Sequence, residues 1–182
     1  MPPLRDQLVG AWELISYTAF TPDDKSNSIH PMGPQAQGII MYTPDGYMYP
    51  SPLLPTISSP LTNRRPRSAQ LQTPGLKQDA SLADIGSHYI AYTGHFWLDE
   101  SGDHHGPLLV HEMRNSNLPR IIGDRQRRLI QIKDEEGGRF LILSTADPID
   151  MAGTMRIPLV RWRRLEENLA TREPERGEAK LS

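Results

Sequence analysis

The chain contains no cysteine. Disulfides, thiol nucleophiles and thiolate-bound metals are therefore excluded. It also lacks a dominant charge: 20 Lys and Arg stand against 22 Asp and Glu, a formal −2. No global field draws such a protein to nucleic acid or to an anionic membrane. No apolar run approaches membrane-spanning length, and the opening MPPLRDQLVGAW has no apolar signal-peptide core. The expectation is a soluble, cytoplasmic protein with no nucleic-acid and no membrane partner. Six histidines are present, but no H-x-H pair and no H-E-x-x-H run. A glycine-rich phosphate loop and a G-x-S-x-G elbow are missing as well. The reading is no metal and no cofactor.

Apolar residues make up only 37% of the chain, whereas proline is abundant at 17 among 182 residues. One domain with extended, proline-punctuated segments is expected. The dominant hydrophobic period is two. AWELISYTAF (11–20) puts Trp12 and Leu14 on one side and Ile15 and Tyr17 on the other. GIIMYT (38–43), a PDG turn and YMYP (47–50) read as a hairpin. Further strands are expected in 89–98, 107–113, 120–132, 139–145 and 154–165, with turns at DESGD and DEEGG. Eight strands at short intervals predict an all-β, eight-stranded, up-and-down antiparallel barrel over residues 1–165. A short N-terminal helical turn and one short helix in 79–89 (Ser81 as N-cap, Gly86 as stop) complete it. The proline-rich stretch 50–77 is expected to form a lid or rim loop, and the charged tail 166–182 to be disordered.

A barrel of this size is just wide enough for packed side chains or one small ligand. One end needs a plug, and Trp12 on the first strand supplies a large flat one. Gly10 lets the entering chain pass close by, and an arginine of the last strand, Arg161 or Arg163, is expected to lie over the indole. The ordered set LVGAWELISY, PMGPQAQGIIMYTPDGYM, YIAYTGHF, LPRIIGDRQRRL and a closing RW resembles the lipocalin-like domain proteins, a calycin-type family of bacteria and fungi. The stretches span residues 8 to 164, nearly the whole domain. The resemblance implies a β-barrel enclosing a ligand cavity, and it extends to members used in natural-product biosynthesis.

His111 and Glu112 have the look of a base and its orienting partner, but adjacent strand residues point to opposite faces. His111 shares its side with Leu109 and Met113, so the inward assignment goes to His111. The candidate catalytic set is His111, Glu112, Arg125 and Arg127. A cavity-facing arginine could hold a carboxylate or a developing enolate. Tyr47, Tyr49, Tyr92, His95, Phe96, Leu109 and Met113 are the candidate ligand-binding residues.

Two functions compete. The first is a cofactor-independent cyclase or isomerase, including a pericyclase, acting on a hydrophobic natural-product intermediate. A dry barrel can fold such a molecule into a reactive conformer. The second is a carrier or sequestering protein without turnover. Either takes a small hydrophobic partner bearing a carbonyl, carboxylate or phenol, and either leaves room for a homodimer. A buried ionisable group in the pocket favours the enzyme; a wholly apolar pocket favours the carrier.

Overall fold

The computed structural model describes residues 2–53, 90–151 and 153–167. Most of the expected lid, the helix expected in 79–89 and nearly all of the charged tail lie outside the described residues. The chain begins with a short helix, α1 (Leu4–Leu8), and enters β1 (Gly10–Phe20). β2 (Ser28–Ile29), β3 (Gln37–Tyr42) and β4 (Tyr47–Leu53) follow, then β5 (Tyr92–Asp103), β6 (Gly106–Glu112) and β7 (Asn115–Ser116). β8 (Arg125–Glu135), β9 (Gly138–Ser144), β10 (Ile149–Met151) and β11 (Thr154–Arg164) complete the order. β1, β3, β4, β5, β6, β8, β9 and β11 pair antiparallel in that sequence, and β11 pairs back onto β1. The sheet is thereby a closed eight-stranded barrel with no free edge between its first and last strands.

Local chemistry explains where the elements depart from the simple alternation. The strand expected over 120–132 begins only at Arg125. Pro119 cannot donate to a ladder and opens a 3-10 turn, and Gly123 takes a positive φ of 92°. DESGD does not turn the chain: β5 continues to Asp103, with a register irregularity after Asp99. The Asp99 carboxylate accepts bonds from the Ser101 and Gly102 amides, holding the irregularity in place.

A second irregularity matters more. The pairing of β1 with β11 shifts between Leu14 and Ser16. One extra residue on β1 reverses the parity beyond it, so Tyr17 does not lie opposite Trp12 and Leu14 as alternation predicts. It joins them on the inner face, where its register partner is Val160. Ile15 is left outside.

Trp12 is fully buried among Leu8, Leu14, Ile40 and Trp162. Its indole Nε1–H donates to the Leu8 carbonyl at 2.9 Å, tying the first strand to α1. The cation over the ring is Arg164, with Cζ 4.9 Å from the centroid. Arg161 and Arg163 do not take that role. Arg161 covers Phe140 at 4.1 Å and bonds Glu135, while Arg163 bonds Glu13. Because Trp162 points inward, its two neighbours must point outward, and the residue two further on returns to the inner side. Gly10 has φ 126°, and a Cβ there would collide with the Arg164 guanidinium. Glycine is therefore required where the arginine crosses.

Candidate ligand-binding site

The parity of β6 sets the site. Leu109, His111 and Met113 face inward and are almost wholly buried, His111 at 1% exposure. Register then fixes β8: Gln126 stands opposite His111 and Arg128 opposite Leu109. On β5 the inward positions are Tyr92 and Phe96; on β3 they are Ile40 and Tyr42. With Tyr17 from β1, the barrel interior gathers three phenols, the His111 imidazole, the Gln126 amide and the half-buried Arg128 guanidinium, while a second arginine, Arg156, is buried on β11 against the Ala19 and Asn27 carbonyls.

These groups are coupled. The Tyr42 hydroxyl and His111 Nε2 are hydrogen-bonded at 3.0 Å, their roles set by the imidazole tautomer. The Tyr42 ring meets Phe96 edge-on at 5.1 Å, and the Tyr92 ring stands 6.5 Å from His111. Arg128 donates to the Gln126 side-chain oxygen beside it on the same face. His111 Nδ1 has no hydrogen-bond partner among the described residues, although it is buried. An imidazole nitrogen so placed forfeits about 1–3 kcal/mol of hydrogen bonding unless something else meets it.

Burial also decides the protonation states. It pushes His111 down to about 3, and the Arg128 charge adds to the effect. The imidazole is therefore neutral near pH 7. Burial raises Tyr42 well above its ordinary value, with Tyr92 adding to the rise and Arg128 opposing it. Tyr17 and Tyr92 are raised by burial too, again against the pull of Arg128. All three phenols stay protonated, as donors and acceptors.

The structure brings together only part of the residue set expected from the sequence. His111, Tyr92, Phe96, Leu109 and Met113 line the interior as expected. Glu112 is on the outside and cannot orient His111. Its carboxylate pairs with His95 Nδ1 at 3.1 Å and with Arg125 at 3.4 Å. His95 is thus also external, packed beside Tyr47. Arg125 covers the outer face of Trp97, and Arg127 is exposed opposite Val110. Tyr47 and Tyr49 lie on the outer surface at 45% and 43% exposure. In each case one inward residue dictates the neighbour's outward position.

The sequence reading missed Tyr17, Tyr42, Gln126 and Arg128. Arg128 and Gln126 were accessible in principle, since placing His111 inside leaves the even positions of the paired strand inside. Tyr42 shares the face of Ile40. Tyr17 was hidden by the bulge, for which the sequence gives no local sign. Among the described residues, no group of three metal-ligating side chains occurs, and no helix is long and apolar enough to cross a membrane.

Comparison with known proteins agrees with the architecture. Residues 9–165 match the lipocalin-like domain profile. The chain is also 33% identical over 110 residues to the 4'-hydroxy-3'-methoxypropiophenone carrier protein of Aspergillus oryzae. That similarity covers 54% of this chain and 96% of the relative.

Proposed function

Because the chain belongs to the lipocalin-like domain family, we propose that its barrel binds and carries a small aromatic ketone or a related hydrophobic molecule. The observation that carries this reading is the sealed Tyr42–His111 pair with its orphan Nδ1. A polar dyad surrounded by apolar wall recognises a carbonyl or phenol oxygen without opening the interior to water. The relative's name, a carrier of a phenolic ketone, points to the same chemistry. The absence of charge on His111 suits holding better than proton transfer. An imidazole titrating at about 3 is a weak base and cannot act as a general acid near neutrality.

Calorimetric titration with 4'-hydroxy-3'-methoxypropiophenone tests this. One molecule should bind per chain, and Tyr42→Phe should weaken binding by about 1 kcal/mol, roughly fivefold, through loss of one hydrogen bond. Binding that is unsaturable, or that ignores Tyr42→Phe and His111→Ala alike, would remove the basis for the proposal.

One observation favours catalysis as a second reading: an ionisable side chain, His111, is buried in the largely apolar barrel interior. A cyclase or isomerase of hydrophobic intermediates would use the dyad to polarise a carbonyl while the walls fold the substrate. The distinguishing result is chemical. A carrier returns its compound unchanged, whereas an enzyme gives a product in molar excess over protein.

A further inference from the structure

Among the described residues, Arg128 and Arg156 on the inner side of the barrel have no carboxylate partner, and Arg156 is already taken up by the Ala19 and Asn27 carbonyls and the Asn27 side-chain oxygen. Arg128 lies on the inner face of β8, opposite fully buried Leu109, and its hydrogen bond goes to the neutral Gln126 amide. The other arginines that pair with carboxylates do so on the outer surface: Arg125 with Glu112, Arg139 with Asp134, Arg161 with Glu135, Arg163 with Glu13. Asp147 lines the same crevice as Arg128, but it is exposed and forms no ion pair with it. The groups that feel the Arg128 charge are Tyr17 on β1, Tyr42 on β3, Tyr92 on β5 and His111 on β6. None of them supplies a negative charge. Arg128 is half-buried and borders an open crevice, so a guanidinium whose hydrogen bond goes to a neutral amide can receive an anionic oxygen that enters from that side.

We propose that Arg128 selects the ligand's ionised form, so that a phenol conjugated to an acyl group enters the barrel as its phenolate and pairs with the guanidinium. This rests on the binding function proposed above and names the chemical state of what is bound. A phenolate suits the site better than a carboxylate does. Its charge is delocalised over ring and carbonyl, so one cation and neighbouring hydroxyl donors can satisfy it, and its ring matches the aromatic wall at Phe96 and Tyr92. On binding from neutral solution the phenol O–H breaks, its electron pair stays on oxygen, and the proton leaves to solvent. His111 is too weak a base to retain it.

The probe is 4'-hydroxy-3'-methoxypropiophenone, whose phenol and phenolate absorb at different wavelengths. In absorbance titrations from pH 5 to 9, the bound compound should show the phenolate band at least one pH unit below the point where the free compound does. That corresponds to about tenfold or greater preference for the anion. Calorimetry in buffers of different ionisation enthalpy should register proton release at the same pH. Arg128→Met should abolish both signals and leave the neutral phenol as the bound form, while Arg128→Lys should retain part of the shift. Circular dichroism checks that both variants are folded. A saturable complex in which the wild type holds the neutral phenol across this range would overturn the inference and leave the carrier function standing. Absence of any saturable complex would overturn both.

Discussion

Trp12→Ala should lower the folding free energy by about 3–5 kcal/mol, a large part of what a domain of this size possesses. Three losses coincide. The fully buried indole leaves a cavity where α1, β1 and β11 meet. The Leu8 carbonyl loses its donor, and the Arg164 guanidinium loses the ring face on which it rests. Arg164 also donates to the Gln7 carbonyl, so the closure of the barrel by β1 and β11 weakens with it. Urea unfolding of the two proteins checks this. A variant that expresses solubly and melts within a degree or two of wild type would show that the indole does not anchor this end.

Acid should destabilise the protein well above the range where carboxylates titrate. In the unfolded chain His111 takes up a proton near its ordinary 6.5, whereas burial delays protonation in the folded protein to about 3. Between those values the unfolded state binds more protons, so stability falls as pH falls, by about 1.4 kcal/mol per pH unit from this one group. The full depression corresponds to roughly 5 kcal/mol, present above pH 6.5 and lost progressively toward 3. Chemical denaturation at pH 7.5, 6.0 and 5.0 should show the decline in wild type. His111→Gln keeps a polar group beside Tyr42 but cannot titrate, and its profile should be nearly flat between pH 6.5 and 5. Parallel profiles for the two proteins would mean that His111 becomes charged in the folded state at little cost.

Eight alternating runs separated by turn residues were sufficient to read the barrel, because side-chain parity and turn chemistry are both local properties. The inward position of His111 was readable for the same reason: Leu109 and Met113 mark its side of the strand. The inward guanidinium of β8 is not among the expected site residues, although the same parity carried across one ladder leads from His111 to Gln126 and Arg128. Arg125 belongs instead to the ion-paired outer surface with Glu112, and Arg127 shares that exposed face. The interior place of Tyr17 depends on a one-residue bulge, which is set by how β1 must pair with β3 and β11 at once. Such a constraint is non-local and has no mark in the segment itself. The cation over Trp12 required the closing register as well, which puts Arg164 opposite the indole.

The most direct measurement is where the ligand sits. A structure of the protein with 4'-hydroxy-3'-methoxypropiophenone should place the compound inside the barrel, one oxygen within about 3 Å of Tyr42 Oη or His111 Nδ1. The aromatic ring should lie against Phe96 and Tyr92, and the phenol oxygen should face Arg128. A complex in which the compound occupies only the outer face around Tyr49, Met41 or Trp97, with the Tyr42–His111 bond undisturbed and Arg128 untouched, would contradict the account.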